Sequence, residues 1–533
     1  MSRRTLLHEV REIQFRVEFR GVRKAIQIAT IFGLLFFFQT GEPITEAQQN
    51  YLSPLVRLQR LDEGRTHLHT DQVRYRESDS RLFLCSYTFA VIDAKDPARM
   101  RYLAEGLTHT VPNDRRRPGC INLAWDGDIV YTTHRGNIDN PAFLTAWDIS
   151  KIDDANPQRL APVQLPALQE PGVTYEGLDV AAGFIYVGLR ANGLGIYRRT
   201  PENRIERVGT ATGLTDAVGV AVHGTTAFVA DGMGGLAIVN VADPKAPKLL
   251  GKAATGGQVR SVVVDGAVAY VAAGSAGLVL VDVKNLSAPR VISRVTMPGT
   301  AVRVAYSKGR AFVAAWNDAR VYDVTNASRP RFIGAARLEE EARFDTGENA
   351  SDAARPMVTA RTLGIAAHND VMFVGNWWVP YSYRLYPERV APNLVLPEAA
   401  SLIDFGAVPA GQSKTAPVQI TNQGTAPLLI DQNSVEGASF SVSPSRVQIA
   451  PGRSATLSVT YRSKAQASEA GVLRIRSNDP AAPVRTARLV GNRPGLGVGK
   501  PLPETVVQLL DGSEWRSSTA QNKVQLLAYF ATF

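Results

Sequence analysis

Between Ala217 and Gly334 the sequence repeats one pattern three times. The first copy runs Val218-Gly-Val-Ala-Val-His-Gly224, Ala227-Phe-Val-Ala230, Leu236-Ala-Ile-Val-Asn-Val241 and Asp243-Pro-Lys-Ala-Pro247. The second runs Val262-Val-Val-Asp-Gly266, Ala269-Tyr-Val-Ala272, Leu278-Val-Leu-Val-Asp-Val283 and Ser287-Ala-Pro289. The third runs Val302-Arg-Val-Ala-Tyr306, Ala311-Phe-Val-Ala314, Arg320-Val-Tyr-Asp-Val324 and Arg329-Pro330. Aligning Gly224, Gly266 and Gly309 gives a period of about 42 residues. A period in the low forties, with four short β-rich runs per unit, is the pattern of a β-propeller. Val, Ile, Ala, Tyr and Phe fill the strands, and Gly and Asp-Pro clusters mark the turns. One four-stranded blade cannot bury both of its faces, so blades must stack in a ring.

The Ala-Tyr/Phe-Val-Ala strand, the Gly-Leu-x-Ile/Leu-Val-x-Val strand and the Asp-x-x-x-Pro turn resemble the LVIVP-repeat family of bacterial propellers. Trp125-Asp126 and Trp147-Asp148 resemble the dipeptide of WD40 proteins, but no Gly-His pair accompanies either. Weaker copies extend the pattern both ways. Upstream lie Leu178–Tyr197, Gly127–Ile149 and Val73–Pro97, and downstream lies Leu363–Tyr383. The total is about seven blades over 51–396. Either the last blade is complete by itself, or the segment around Pro54–Leu61 supplies its outer strand.

The chain opens with seven Arg/Lys against three Glu in residues 1–24, about +4 of a total of +10. The apolar run Ile26–Phe38 is short for a membrane span and suits a signal sequence. Ser2-Arg-Arg-Thr-Leu-Leu7 resembles a twin-arginine signal, and Thr45-Glu-Ala47 offers a cleavage site. Residues 1–47 are thus read as a signal peptide, with an uncleaved anchor or a buried helix as the other readings. Export would place the protein in the periplasm, on the cell surface or outside the cell. The remaining charge of about +6 is modest for 533 residues, and no Lys/Arg tract interleaved with aromatics points to nucleic acid. The two cysteines, Cys85 and Cys120, are either a disulfide or two buried thiols.

From Ala399 to about 492 the texture becomes alternating strands of about five residues between turn residues, as in Leu457-Ser-Val-Thr-Tyr461 and Leu473-Arg-Ile-Arg-Ser477. The spacing predicts an immunoglobulin-like sandwich. The order of segments resembles the Hydin-like or "choice-of-anchor" Ig-like modules, which implies a spacer or interaction domain. Val390–Pro397 reads as a linker.

Residues 495–533 differ again. Gly497-Val-Gly-Lys-Pro501, Val506-Val-Gln-Leu-Leu-Asp-Gly512 and Val524-Gln-Leu-Leu-Ala-Tyr-Phe-Ala-Thr-Phe533 resemble the opening of a redoxin, a thioredoxin-like domain. The resemblance implies that a catalytic Cys-x-x-Cys would follow at position 534. This predicts a reading frame that continues past Phe533. Selenocysteine at 534, a frameshift or fragment end, and a true degenerate end are the three explanations.

Candidate sites are few. The long insertions Leu107–Cys120, His134–Phe143, Leu160–Thr174 and Ala336–Val358 are assigned to one propeller face, and the opposite face is expected to carry only short turns. Long loops on a rigid scaffold commonly carry function. Arg74, Arg260, Arg303 and Arg361 are read as starting the innermost strands of their blades. Such a ring would either bind an anionic ligand at the channel mouth or pair with neighbouring blades. His67 and His69 share one side of a strand but lack a third metal ligand. Asp231-Gly-Met-Gly-Gly235 reads as a turn rather than a calcium loop, and Trp377, Trp378, Tyr381, Tyr383 and Tyr386 as blade packing. No catalytic set, metal site or cofactor motif emerges.

The sequence therefore predicts a mainly β protein: a seven-bladed propeller, an Ig-like sandwich and an incomplete thioredoxin-like C-terminus. The expected function is a binding or scaffold module with an unidentified protein or anionic partner on its long-loop face, and with possible membrane attachment through the N-terminal apolar segment. The rival is an extracytoplasmic thiol oxidoreductase or peroxidase whose catalytic half follows residue 533.

Overall fold

The computed structural model describes residues 51–61, 72–85, 88–107, 120–134, 142–152, 163–316, 318–336, 338, 361–376, 379–397, 400, 402–465, 467–492, 506–508 and 514–516. All of these fall in one compact unit, Ala47–Phe533. The leader and its apolar run, His67 and His69, Trp377 and Trp378, and the Val524–Phe530 strand lie outside the described residues. So do most of residues 495–533, where the description is limited to a short hairpin pairing Val506–Gln508 with Glu514–Arg516.

Seven four-stranded antiparallel sheets form the first domain. Blade 1 spans 72–107, blade 2 120–164, blade 3 178–211, blade 4 219–253, blade 5 261–295 and blade 6 303–336. Blade 7 takes three strands from 362–385, and its outer strand is Leu55–Arg60, paired through Leu55↔Leu385 and Arg60↔Tyr381. The start of the domain thus closes the ring. The first strands of the blades neighbour one another in order, and the seventh returns to the first. These strands line a central channel.

Burial on both faces of the middle strands explains why the blades stack. In Thr226–Ala230 and Leu236–Asn240 nearly every side chain is buried, because the middle strands of a blade face a neighbour on each side. Each junction has its own apolar cluster: Phe228, Ile238, Val271 and Val281 fill that between blades 4 and 5, and Tyr270, Leu280, Val313 and Tyr322 fill the next. At the junction of blades 1 and 2, Cys85 and Cys120 are joined as a disulfide, with Cα atoms 5.0 Å apart and both residues buried.

The acidic or amide residue that ends the third strand caps the turn after it. Asp93, Asp148, Asn240, Asp282 and Asp323 each accept, through Oδ1, the backbone N–H two residues on, at 2.8–3.1 Å. These are Asx turns, in which the side chain mimics a backbone turn. Gly224, Gly266 and Gly309 turn the preceding hairpin with φ of 57°, 55° and 72°, a conformation that glycine adopts without a Cβ penalty.

The second domain packs a four-stranded sheet (Leu394–Val395, Ser413–Asn422, Ser454–Arg462, Phe440–Ser443) on a five-stranded one (Leu402–Asp404, Val484–Gly491, Glu469–Ser477, Leu428–Glu436, Val447–Ile449). Their alternating inward residues, among them Phe405, Ile420, Leu457, Tyr461 and Leu473, form one core. Leu394–Val395, within the stretch read as a linker, is the first strand of this sandwich. It pairs with Thr421 and Asn422, and the Leu394 N–H donates to Asp479 Oδ2 at 2.8 Å. Leu394 is fully buried in the sandwich core, so the turn-like Pro and Asn around it misled the reading of this segment.

The two domains meet along blade 6. Arg320, in the third strand of that blade, is 1% exposed. It forms a two-pronged pair with Asp318 at 3.0 and 2.8 Å and donates to Gln423 Oε1 of the sandwich at 2.7 Å. Burial works against its charge, but Asp318 and Tyr322 outweigh that and hold its pKa above the ordinary arginine value. The repeat places Ala237 and Val279 at the equivalent positions.

Candidate functional site

The channel contains a cavity of about 380 Å³, lined by residues of the first strands. Strand pairing places Gln72, Asn122, Gly219, Ser261 and Arg303 at one register position of blades 1, 2, 4, 5 and 6. At this level the backbones of blades 3 and 4 nearly touch. A Cβ on Gly177 would lie 2.4 Å from the Gly219 Cα, and one on Gly219 2.8 Å from the Arg260 carbonyl. The polar side chains of the other blades fill the remaining space. Gln72 Nε2 donates to Asn122 Oδ1 at 3.2 Å, and both residues are buried.

The four arginines do not form a single ring. Arg303 begins its strand, Arg260 precedes Ser261 by one residue, and Arg74 sits two positions deeper, because its strand starts at Gln72. All three line the cavity. Arg361 is not among the lining residues; its guanidinium lies 5.1 Å from the centre of the Trp316 ring. Arg74 and Arg303 each reach a non-adjacent blade. Arg74 crosses from blade 1 to blade 3, reaching Asp179 Oδ1 at 3.4 Å and the Leu178 carbonyl at 3.2 Å. Arg303 crosses from blade 6 to blade 2, donating to the Ile121 carbonyl at 3.3 Å. Asp179 is the acidic residue among the described residues of the lining, and its Oδ2 also accepts the Val222 N–H at 2.7 Å.

Gln72, Asn122, Ser261 and Asp179 escaped the sequence reading. Extending the register of Arg303 around the ring would have picked out the first three. Asp179 has no such signal, since its role depends on what faces it across the channel.

Asp231 is fully buried. Its Oδ1 accepts the Thr215 and Asp216 N–H groups at 2.6 and 2.8 Å, and its Oδ2 accepts Lys252 Nζ at 2.7 Å. With its oxygens engaged by the protein, it holds loops together as part of a turn. Among the described residues no group of three or more His, Cys, Asp or Glu side chains could hold a metal ion.

Glu170 anchors the connection from blade 2 to blade 3. Its Oε2 accepts Tyr175 Oη, Tyr197 Oη and an Arg207 guanidinium N–H at 2.9, 2.7 and 2.7 Å. Burial works to raise its pKa, but these three donors hold it below the usual glutamate value. In blade 2, Trp147 Nε1 donates to Thr132 Oγ1 at 2.9 Å, which also lies 2.9 Å from His134 Nε2. His134 there takes the place of a polar partner that was not apparent in the sequence.

The expected division of loops is not complete. The connection between the third and fourth strands of blade 2 covers 149–162, twice the length of 94–100 in blade 1. It joins strand ends on the face expected to carry only short turns, because Val163–Gln164 forms the outer strand of blade 2 where an insertion was read.

Two family matches agree with this architecture. Residues 215–255, 256–297 and 298–336 match the LVIVD repeat, which corrects the LVIVP name. Residues 398–492 match the HYDIN/CFA65/VesB-like Ig-like domain. No curated protein matches the chain. Solved structures similar to it include the RRP9 WD40 repeats, at 12% identity and TM-score 0.47, covering 63% of this chain and 99% of that one. The computationally designed Ika8 protein is 10% identical with TM-score 0.41, covering 62% and 99%. A chain of the Mitotic Checkpoint Complex is 11% identical with TM-score 0.43, covering 69% and 100%. LVIVD repeats in a propeller, followed by an Ig-like sandwich, make a binding or scaffold architecture.

Proposed function

We propose that this protein is an exported or cell-surface binding module that presents the long-loop face of its propeller to a partner, with the sandwich as a support. The observation that carries this reading is the asymmetry of the faces. The chain between Leu107 and Cys120, between His134 and Phe143, and between Ala336 and Thr362 is long, and all three join strand ends on one face, whereas most described turns of the other face are short and capped by Asp or Asn. The Cys85–Cys120 disulfide supports an oxidising compartment. It also uses both cysteines of the chain, which favours binding over thiol chemistry as the activity of these 533 residues.

The test uses the full chain with two sets of substitutions. Ala191→Glu, Met233→Glu and Ser275→Glu alter exposed tips on the long-loop face, and Lys245→Glu with Lys284→Glu alters the short-turn face. Crosslinking to surface or periplasmic partners should fall with the first set and survive the second. The reverse pattern would remove the assignment of the face. Alkylation of intact cells should find Cys85 and Cys120 oxidised; free thiols would argue against export.

A further inference from the structure

We infer that the long-loop end of the central channel binds a small oxyanion, a carboxylate or phosphate group carried by a molecule of metabolite size. The inference deepens the binding-module reading and rests on it. A cavity of about 380 Å³ is at the low end of the range for small-molecule sites. Arg74, Arg260 and Arg303 line it together with one acid, Asp179. Both oxygens of Asp179 already accept protein donors: Oδ1 takes the Val180 N–H and Arg74, and Oδ2 takes the Val222 N–H. Among the described lining residues, arginines outnumber acids three to one. Val263, Ala305, Ile365 and Ala366 contribute apolar wall, against which a charge is less screened than in water.

The cross-channel contacts of Arg74 and Arg303 are longer than the contacts of arginines that brace the fold. Arg320 meets its partners at 2.7–3.0 Å, Arg76 meets Asp79 at 2.6 and 2.9 Å, and Arg207 meets Glu170 at 2.7 Å. Across the channel, the contacts of Arg74 and Arg303 are 3.2–3.4 Å, longer than the roughly 2.7–2.9 Å of a well-made charge-assisted bond. An oxyanion between them would shorten these contacts or replace them. Arg303 also occupies a register position where blade 4 has Gly219 and blade 5 has Ser261. Gln72 and Asn122, 6% and 4% exposed, line the same cavity and can orient a bound group.

Calorimetric titration of the full chain at constant low ionic strength, with sodium phosphate, succinate and citrate as probes and glucose as the uncharged control, tests this. Saturable binding of at least one anion is expected. Arg303→Ala and Arg74→Ala should each weaken it by about tenfold or more, the scale of a lost hydrogen bond to a charged group. Arg361→Ala, outside the cavity, should leave it within about twofold. Arg303→Lys keeps the charge without the two-pronged geometry and should weaken binding even if Arg303→Ala fails to fold. Phosphate binding without carboxylate binding assigns a phosphate ligand, and the converse assigns a carboxylate. Absence of saturable heat with all three anions overturns the inference. So does affinity unchanged in the folded Arg74 and Arg303 variants, which would leave both as cross-channel braces. The loop-tip substitutions are read separately, so the loop-face assignment can stand if the channel site fails.

Discussion

Asp479 shows how a single buried carboxyl responds to its place in the fold. Burial raises its pKa to about 6, and the N–H groups of Leu394, Ala481 and Ala482 offset only part of that cost. The folded chain therefore holds this proton at a pH where the unfolded chain releases it. The contribution of Asp479 to stability is greatest below the ordinary carboxyl range and is lost as pH rises through about 6. Asp479→Asn mimics the neutral form. Its urea midpoint relative to wild type should move in its favour between about pH 4 and 6, and a difference that stays flat over that range would exclude this titration. The channel arginines belong to the same scale. Their identity was visible in the sequence, but whether Arg74 faced a carboxylate was not, because Asp179 is 105 residues away.

At the scale of elements, Leu55–Arg60 decides whether the ring closes. It is the outer strand of blade 7, and Leu55 is buried with Phe312, Val374, Tyr381 and Leu385. Leu55→Ala should cost about 2–5 kcal/mol, typical of a large-to-small core change, and should lower the midpoint of the propeller as a whole. Loss of blade 7 alone, seen as a separate early transition, would show that closure is not coupled to the ring. The disulfide is a second closure device. With a sequence separation of 35 residues, chain-entropy arguments give it about 3–4 kcal/mol. Adding reductant to wild type should lower its melting temperature, whereas Cys85→Ala/Cys120→Ala should be insensitive to reductant. Strand existence was legible here because β-rich runs and Asx-capped turns are local. The pairing of Leu55 with Leu385 was left as one of two options, since an outer strand can come from either end of the domain.

At the scale of the whole molecule, the Arg320–Asp318 pair and its bond to Gln423 tie the propeller to the sandwich. A double-mutant cycle between Arg320 and Gln423 should give a coupling of about 1.5–3 kcal/mol, the range for hydrogen bonds to charged groups. Arg320→Ala should cost about 3–5 kcal/mol, because it leaves Asp318 charged and largely buried. The propeller cut off before the Leu394–Val395 strand should still unfold cooperatively, since its cores lie between blades. It should do so at a lower temperature than the full chain, and an equal midpoint would mean that the clasp adds nothing.

What the sequence determined by itself was the architecture: a 42-residue period whose unbroken apolar strands force blade to stack on blade, and a second, alternating segment that forms its own core. These signals are local and repeated, so a single chain displays them. What only the tertiary structure decided was which residues face each other around the ring. Arg74 with Asp179, Arg303 with the Ile121 carbonyl, Arg320 with Gln423 and Leu55 with Leu385 are all partners across more than a hundred residues. Closing a ring brings such positions together through geometry that no local pattern encodes. That is why the blades could be read from the sequence while the chemistry of the channel between them could not.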